Sequence, residues 1–470
     1  MPFDIHQLIE AREGENYTLH SNHINPQFAK VLKTIGFDKV YTKAKGPYLY
    51  DKEGNEYLDF LSGYGVFAIG RNHPKIKSAL KEFIDKDRAN LVQMEAPLLS
   101  GLLAEGLIKR VNQDGIDTVF FSNSGTESNE CAIKFARGAT GRKRILFLHH
   151  AFHGLSTGSL ALNGNTEFRE GFGDLLPGCE MIRQNDLSRL EDELKKKDVA
   201  AFIFEPIQGK GIYIPDDDYL PQAQSLCRKH GTLTIADEVQ TGLGRTGKWF
   251  GFEHWNLSPD IITVSKSLSG GMVPVGATLT RRGIYNKVFS RMDRCVVHSS
   301  TFGQNDLAMV CGLATLSIIE EEGLVEKARI RGEEIVEGLK KLDAKHEWIK
   351  EVRGKGLMIG IEFGKPSSLK KKIQWNMVHQ INSGLFGELI VMPLLAKHRI
   401  LTQVSGHEQD VVKILPPLVI EPGHAARFVA ALDSVLEECG QIAGPMWEMG
   451  KNLVKQAIAD KKAAAVRVNP

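Results

Sequence analysis

Residues 233–271 read LTIADEVQTGLGRTGKWFGFEHWNLSPDIITVSKSLSGG, and the way this stretch divides decides the fold. Two unbroken apolar runs, LTIA at 233–236 and IITV at 261–264, each end abruptly in polar residues. The first stops at Asp237-Glu238 and the second at Ser265-Lys266-Ser267. A strand that is apolar on both faces belongs in a sheet covered by helices on both sides, which predicts mostly parallel pairing. In such sheets ligands bind outside the carboxyl ends of the strands, so Asp237 and Lys266 can converge on one molecule.

The same texture extends outward. TVFFS (118–122), ILFL (145–148), VAAFIF (199–204) and VGATL (275–279) are further buried strands, separated by stretches of helical period. After Glu127, for example, Cys131, Ile133, Phe135 and Ala136 can line one side, as can Leu187, Leu190 and Leu194 further on. This predicts a large α/β domain over 61–325 with a mixed, mostly parallel sheet. From about Gly323 the sequence turns to charged helix (EKARIRGEEIVEGLKKL), then RGKGLMIGIEF at 353–363, then a long helix near 425–455, which predicts a smaller α/β domain over 326–470. Residues 1–60 carry a helical start and a hairpin at 48–60 whose turn is Glu53-Gly54-Asn55, a segment assigned to the small domain. LFGELIVMPLLA at 385–396 reads as a core strand, with a greasy channel or membrane-contact surface as the alternative. The tail KKAAAVRVNP reads as frayed.

Composition narrows the classes. The chain has 470 residues, 42% hydrophobic and 25% charged, which suits a globular enzyme of several domain equivalents and excludes disordered and collagenous proteins. Lys plus Arg exceed Asp plus Glu by 59 − 57 = 2, so no global field attracts nucleic acid or anionic membrane. Six cysteines lie far apart without a CxxC pair and read as buried thiols in a reducing compartment. The start MPFDIHQLIEAREGEN lacks the pattern of a signal peptide, and the uncharged run at 307–319 falls short of the ~20 residues of a membrane span and reads as a buried helix. A cytoplasmic location and no integral membrane segment are expected. Glycine, present 46 times, implies many tight turns or close backbone approaches to a ligand.

Four groups carry chemistry. Ser122-Asn123-Ser124-Gly125-Thr126-Glu127 joins a strand to a helix, where free N–H groups and the helix dipole make either an anion cradle or an ordinary cap. Asp237-Glu238 could hold a cationic ring nitrogen, cap a helix or bind magnesium, but no further acidic cluster accompanies it and no metal is expected. Lys266, between small residues at a strand end, becomes a nucleophile towards carbonyls if its pocket is dry. The fourth group is aromatic and hydroxyl: Phe152-His153-Gly154 offers a flat ring and a hydrogen-bonding imidazole, and Thr301, in HSSTFG, offers a hydroxyl. GLGRTG at 242–247 fits a nucleotide fingerprint but runs into KWFGF, which has no helical period, and is rejected as one. Together the four groups supply every contact that pyridoxal phosphate needs.

The motifs SGTES, FHG, EPIQG, DEVQTGLGRTG, SKSLSGG, TFGQN and ILPPLVI, in this order, closely resemble class III pyridoxal-phosphate aminotransferases of fold type I. The resemblance runs from about Tyr48 to Leu418. It implies that Lys266 holds the aldehyde of pyridoxal 5'-phosphate as a Schiff base, the internal aldimine, and then shuttles the substrate proton. It further implies that Asp237 pairs with the ring nitrogen, that Val239 and Phe152 pack on opposite ring faces, and that Gln240 bonds the phenolic oxygen. Ser124, Gly125 and Thr126 would hold the phosphate, with His153 and Glu205 completing the cofactor set. Thr301 would reach the phosphate of a neighbouring subunit, which implies a homodimer with shared active sites. Amine and oxo-acid substrates and ping-pong transfer follow from the same resemblance.

Two positions depart from it. Amino-acid-converting members carry a glutamate after EPIQG and an arginine three residues before the Pro-Pro, a gated carboxylate clamp. Here Lys210 and Lys413 stand there, and a lysine is a point charge without the bidentate fork. Lys210, Lys413 and Tyr64 are therefore the candidate substrate-binding residues; Arg245 or Lys355 could receive the acid instead. RGKGLMIGIEF and PVGATL resemble the putrescine and ornithine aminotransferase branch, so a primary, terminal amine donor is expected, with a longer or lipid-like amine as the alternative. An aminomutase, an amine lyase or a racemase on the same scaffold is the other enzymatic reading.

Overall fold

In the computed structural model, which describes residues 3–439 apart from 112, 382–383 and 407–409, helices lead into a meander of β1 (Tyr41–Lys45), β2 (Tyr48–Asp51) and β3 (Glu56–Asp59). The expected turn joins β2 to β3. Gly54 takes φ +81°, a conformation that glycine adopts without strain, and Asp51 accepts the Asn55 N–H at 2.7 Å.

The centre of the chain forms seven strands: β4 (Thr118–Ser122), β5 (Arg144–Leu148), β6 (Cys179–Ile182), β7 (Val199–Phe204), β8 (Leu233–Asp237), β9 (Ile261–Val264) and β10 (Gly276–Thr280). Their order is β4-β10-β9-β8-β7-β5-β6, with β10 antiparallel to both neighbours and every other pairing parallel. The expected mixed, mostly parallel sheet is borne out. Every residue of β7, β9 and β10 is buried, which is why these runs carry no polar alternation. Sequence reading missed β6, whose CEMI has only one fully buried residue because it is the sheet's edge.

A second sheet, ordered β11-β12-β15-β14, is antiparallel. It comprises β11 (Ile349–Lys355), β12 (Met358–Phe363), β14 (Gln403–Ser405) and β15 (Val411–Ile414). Between them in sequence, β13 (Ile400–Leu401) leaves this sheet and pairs in parallel with β3, so the C-terminal third completes the N-terminal meander. Phe60 stacks on Phe428 at 5.0 Å, and Ser62 Oγ donates to the Leu415 carbonyl at 2.5 Å.

The reading of 385–396 as a strand is corrected: Leu385–Ala396 is a helix. An all-apolar run has no period, so length decides, and twelve residues exceed a usual strand. Most of its side chains are buried, with Phe386 against Trp348, Phe363 and Trp375, so the helix fills a core and presents neither a channel nor a membrane face. The buried helix expected at 307–319 is present as Asp306–Glu321. The C-terminal helix begins at Pro422; the expected continuation over 440–455 and the tail lie outside the described residues. Cys295 is exposed and Cys179 half-buried, which corrects the expectation that all six thiols are buried. Among the described residues no helix is long and apolar enough to cross a membrane.

Candidate active site

Because β10 runs against both β4 and β9, the strands β4, β5, β7, β8 and β9 all point one way. Their carboxyl ends open in turn onto Ser124-Gly125, Phe152-His153, Glu205, Asp237 and Lys266, which gathers the candidate residues along one sheet edge.

Asp237, the last residue of β8, is buried, and its orientation is fully specified. Oδ2 accepts from Asn129 Nδ2 and meets His153 Nδ1, each at 2.7 Å, while Oδ1 accepts the Val239 N–H at 3.0 Å. Burial opposes its charge, but the hydrogen bond and charge of His153, the Val239 N–H and Asn129 hold the carboxyl below its ordinary value. It remains an anion in a dry setting, suited to hold a cationic ring nitrogen. Asn129 was missed from sequence. It lies one helical turn after Gly125 on a helix whose other buried residues are mostly apolar, which was the available signal.

Lys266 follows β9 at the head of a single turn and takes φ +37°, a left-handed conformation that costs an L-residue on the order of 1–2 kcal/mol. Strain of this kind accompanies functional sites. Its Nζ makes no hydrogen bond among the described residues. Burial, opposed by the charges of Asp237 and Glu205, pushes the ammonium below its ordinary value, towards the free amine that attacks carbonyls.

The helix Gly125–Thr140 begins where β4 ends. Ser124 caps it, accepting the Glu127 N–H at 3.2 Å, so the cap reading of Ser124 holds. The N–H groups of Gly125 and Thr126 have no intrahelical partner and form the positive end of the dipole. A Cβ on Gly125 would stand 2.7 Å from Val239 Cγ1, so only glycine lets the helix start lie against the residue that follows Asp237-Glu238. The Thr126 hydroxyl is engaged with Ser156 Oγ at 2.7 Å and Ser159 Oγ at 2.6 Å, and Glu130 accepts from Ser156 in turn. These serines were not anticipated.

Glu205 bridges two loops. Oε2 accepts the Phe152 N–H at 3.0 Å and Oε1 the Gly209 N–H at 2.8 Å. Burial raises its carboxyl; the charge of His153 opposes this and that of Asp237 adds to it. Phe152 sets its ring edge-on to Phe168 at 5.5 Å. Lys210, half-buried, lies 4.7 Å above the Phe168 ring. Lys413, on β15, is buried, donates to the Gly209 carbonyl at 2.9 Å and lies 6.0 Å from the Tyr64 ring. Burial, reinforced by the charge of Lys266, pushes the Lys413 ammonium down to about 7, and Lys210 adds to the effect. The two substituted lysines therefore belong to one electrostatic neighbourhood with Lys266. Tyr64 takes φ +62° and its carbonyl accepts from Gln240 Nε2 at 3.0 Å.

Three further candidates lie as follows. Arg245 is buried and its Nη1 donates to the carbonyls of Leu357 and Pro416, so it braces the GLGRTG loop from within, while its Nη2 has no hydrogen-bond partner among the described residues. Lys355 lies 5.4 Å from the Trp255 ring. Thr301 is exposed, its carbonyl accepting from Gln93 Nε2 at 3.4 Å, and is not joined to the Gly125 helix start of its own chain. No group of His, Cys, Asp and Glu side chains fit to hold a metal occurs among the described residues.

The donor set fits pyridoxal phosphate. An ionised buried carboxylate, a lysine without a hydrogen-bond partner among the described residues and a helix start whose first N–H groups have no intrahelical partner share one edge. The buried Gln240 Oε1 has no hydrogen-bond partner among the described residues, leaving that amide open to a ligand.

Comparison with known proteins agrees with this geometry. The model of the family "Aminotransferase class-III" matches residues 33–436. The aminotransferase PigE of a Serratia species is 34% identical over 92% of this chain, which spans only 55% of that protein. The putrescine aminotransferase of Pectobacterium atrosepticum is 35% identical, over 88% of this chain and 87% of its own length. An ornithine aminotransferase from Toxoplasma gondii, whose structure has partial occupancy of pyridoxal phosphate, superposes with a TM-score of 0.79 at 28% identity, covering 94% of this chain and all of that one.

Proposed function

The chain belongs to the class III aminotransferases, fold type I enzymes that use pyridoxal 5'-phosphate, and on that premise we propose that it moves an amino group from a primary, terminal amine to an oxo acid or aldehyde in two ping-pong half-reactions. The observation that carries the donor class is Lys413. A donor with a carboxylate beside its amine needs a permanent, bidentate cation near Lys266. Lys413, in that neighbourhood, is a buried lysine already donating to Gly209, its ammonium pushed down to about 7 by burial.

When bound, the cofactor supplies a ring that takes up the electrons left as the substrate C–H bond breaks. Asp237, fixed by His153, Asn129 and the Val239 N–H, keeps a proton on the ring nitrogen. The start of the Gly125–Thr140 helix would receive the phosphate, and Val239 and Phe152 would flank the ring. Lys266 would hold the aldehyde carbon of the cofactor, and its free amine would carry the proton of the substrate carbon. Below about pH 7 Lys413 becomes an ammonium and meets the carboxylate of the oxo acid.

The exposed face around Thr301 supports a homodimer with shared sites. Phe302 is 58% exposed, and Val296 and Met94 are 70% and 98% exposed, which suits burial against a second copy. The donor reading is tested with the loaded enzyme and a panel of putrescine, ornithine, alanine and glutamate, following loss of the cofactor band and stoichiometric formation of the exchanged amine. Consumption of α-amino acids alone would overturn the donor class; loss of amine without an exchanged product would favour a lyase.

A further inference from the structure

We propose that Lys413 is a positioning residue for Phe152, acting through Gly209 and Glu205. The links are consecutive. Lys413 Nζ donates to the Gly209 carbonyl at 2.9 Å, the Gly209 N–H donates to Glu205 Oε1 at 2.8 Å, and Glu205 Oε2 accepts the Phe152 N–H at 3.0 Å. A strand of the second sheet is thereby tied to the backbone of the aromatic residue that follows β5, although Lys413 and Gly209 are 204 residues apart in sequence.

The intermediate positions have little freedom. A Cβ on Gly209 would stand 2.6 Å from Gln240 Oε1 and 3.1 Å from Glu205 Oε1, so the loop packs closely against both side chains. The far half of the loop is held separately, by Arg353 donating to the Gly211 and Ile212 carbonyls and by Ser405 Oγ accepting the Gly211 N–H. Among the described residues Lys413 is the only side chain donating to the Gly209 carbonyl. A buried lysine whose hydrogen-bond partner is a carbonyl is costly to keep charged. The relay assigns it a purpose that an ordinary core residue would not serve.

This inference rests on the aminotransferase reading and its cofactor. The test titrates cofactor-depleted wild type, Lys413→Met, Phe152→Ala and the double variant with pyridoxal phosphate. It measures the dissociation constant and the circular dichroism induced in the cofactor band, which reports ring orientation rather than turnover. Lys413→Met is expected to weaken binding about tenfold, the worth of one hydrogen bond, and to lose most of the induced ellipticity. In the Phe152→Ala background it is expected to change neither further, because the relay still ends on the backbone N–H of position 152 but no ring remains there for it to place. Wild-type ellipticity and affinity in Lys413→Met, or additive losses in the double variant, would overturn the relay. If Lys413→Met does not fold, Glu205→Gln cuts the same link from its other end and is expected to give the same loss. Failure of the wild type to bind the cofactor at all would instead sink the underlying functional reading.

Discussion

His153 Nδ1 lies 2.7 Å from Asp237 Oδ2, and both side chains are buried at one edge of the central sheet. The imidazole and Asn129 together fix the carboxylate and keep it ionised where burial alone would protonate it. Asp237→Asn preserves the shape and removes the charge. The account predicts a fall in the rate of each half-reaction of roughly two to four orders of magnitude, with retained fold, measured by single-turnover absorbance. A loss within a few fold would mean that the ring nitrogen is held elsewhere.

Gly125→Ala places a methyl group 2.7 Å from Val239 Cγ1. Overpacking of this kind costs about 1–3 kcal/mol, so a lowered melting temperature and weaker cofactor binding are expected. Adding Val239→Ala makes room for the methyl and should return part of the lost stability. An additive loss in the double variant would show that the two residues do not meet.

The central strands were legible because burial on both faces leaves a continuous apolar run, and the candidate site followed because each run ends in the residues that matter. What escaped reading was non-local or lacked a period. The edge strand β6 has one face to solvent and one neighbour, so CEMI carries little signal. The helix Leu385–Ala396 is apolar all round, which removes the period that distinguishes helix from strand. The contact between Lys413 and Gly209 depends on the packing of one sheet on another, which no local pattern encodes.

Lys413 also sets a pH dependence. Its ordinary value of 10.5 is pushed down to about 7 by burial and by Lys266, so the side chain is charged below about 7 and neutral above it. An oxo acid binds the charged form, hence its KM is expected to rise as pH increases through about 7, and Lys413→Met should flatten that rise. The sign for stability follows from the same shift. Between about 7 and 10.5 the unfolded chain binds more protons at this position, so the cost of burying the lysine is greatest below about 7 and fades as pH rises. An oxo-acid KM independent of pH from 6 to 9 would remove Lys413 from substrate binding.

Phe302→Asp puts a charge on the exposed face beside Thr301. If a second copy covers this face, the variant is expected to sediment as a monomer and to bind the cofactor more weakly than wild type. Unchanged sedimentation would place the contact elsewhere.

On the proposed reading Lys266, rather than Lys210 or Lys413, carries the cofactor. Reduction of the loaded enzyme with borohydride followed by peptide mass mapping tests it directly. The pyridoxyl mass is expected on the peptide containing Lys266 and is expected to be absent from Lys266→Ala. The same mass on Lys413 or Lys210 in the wild type would contradict it.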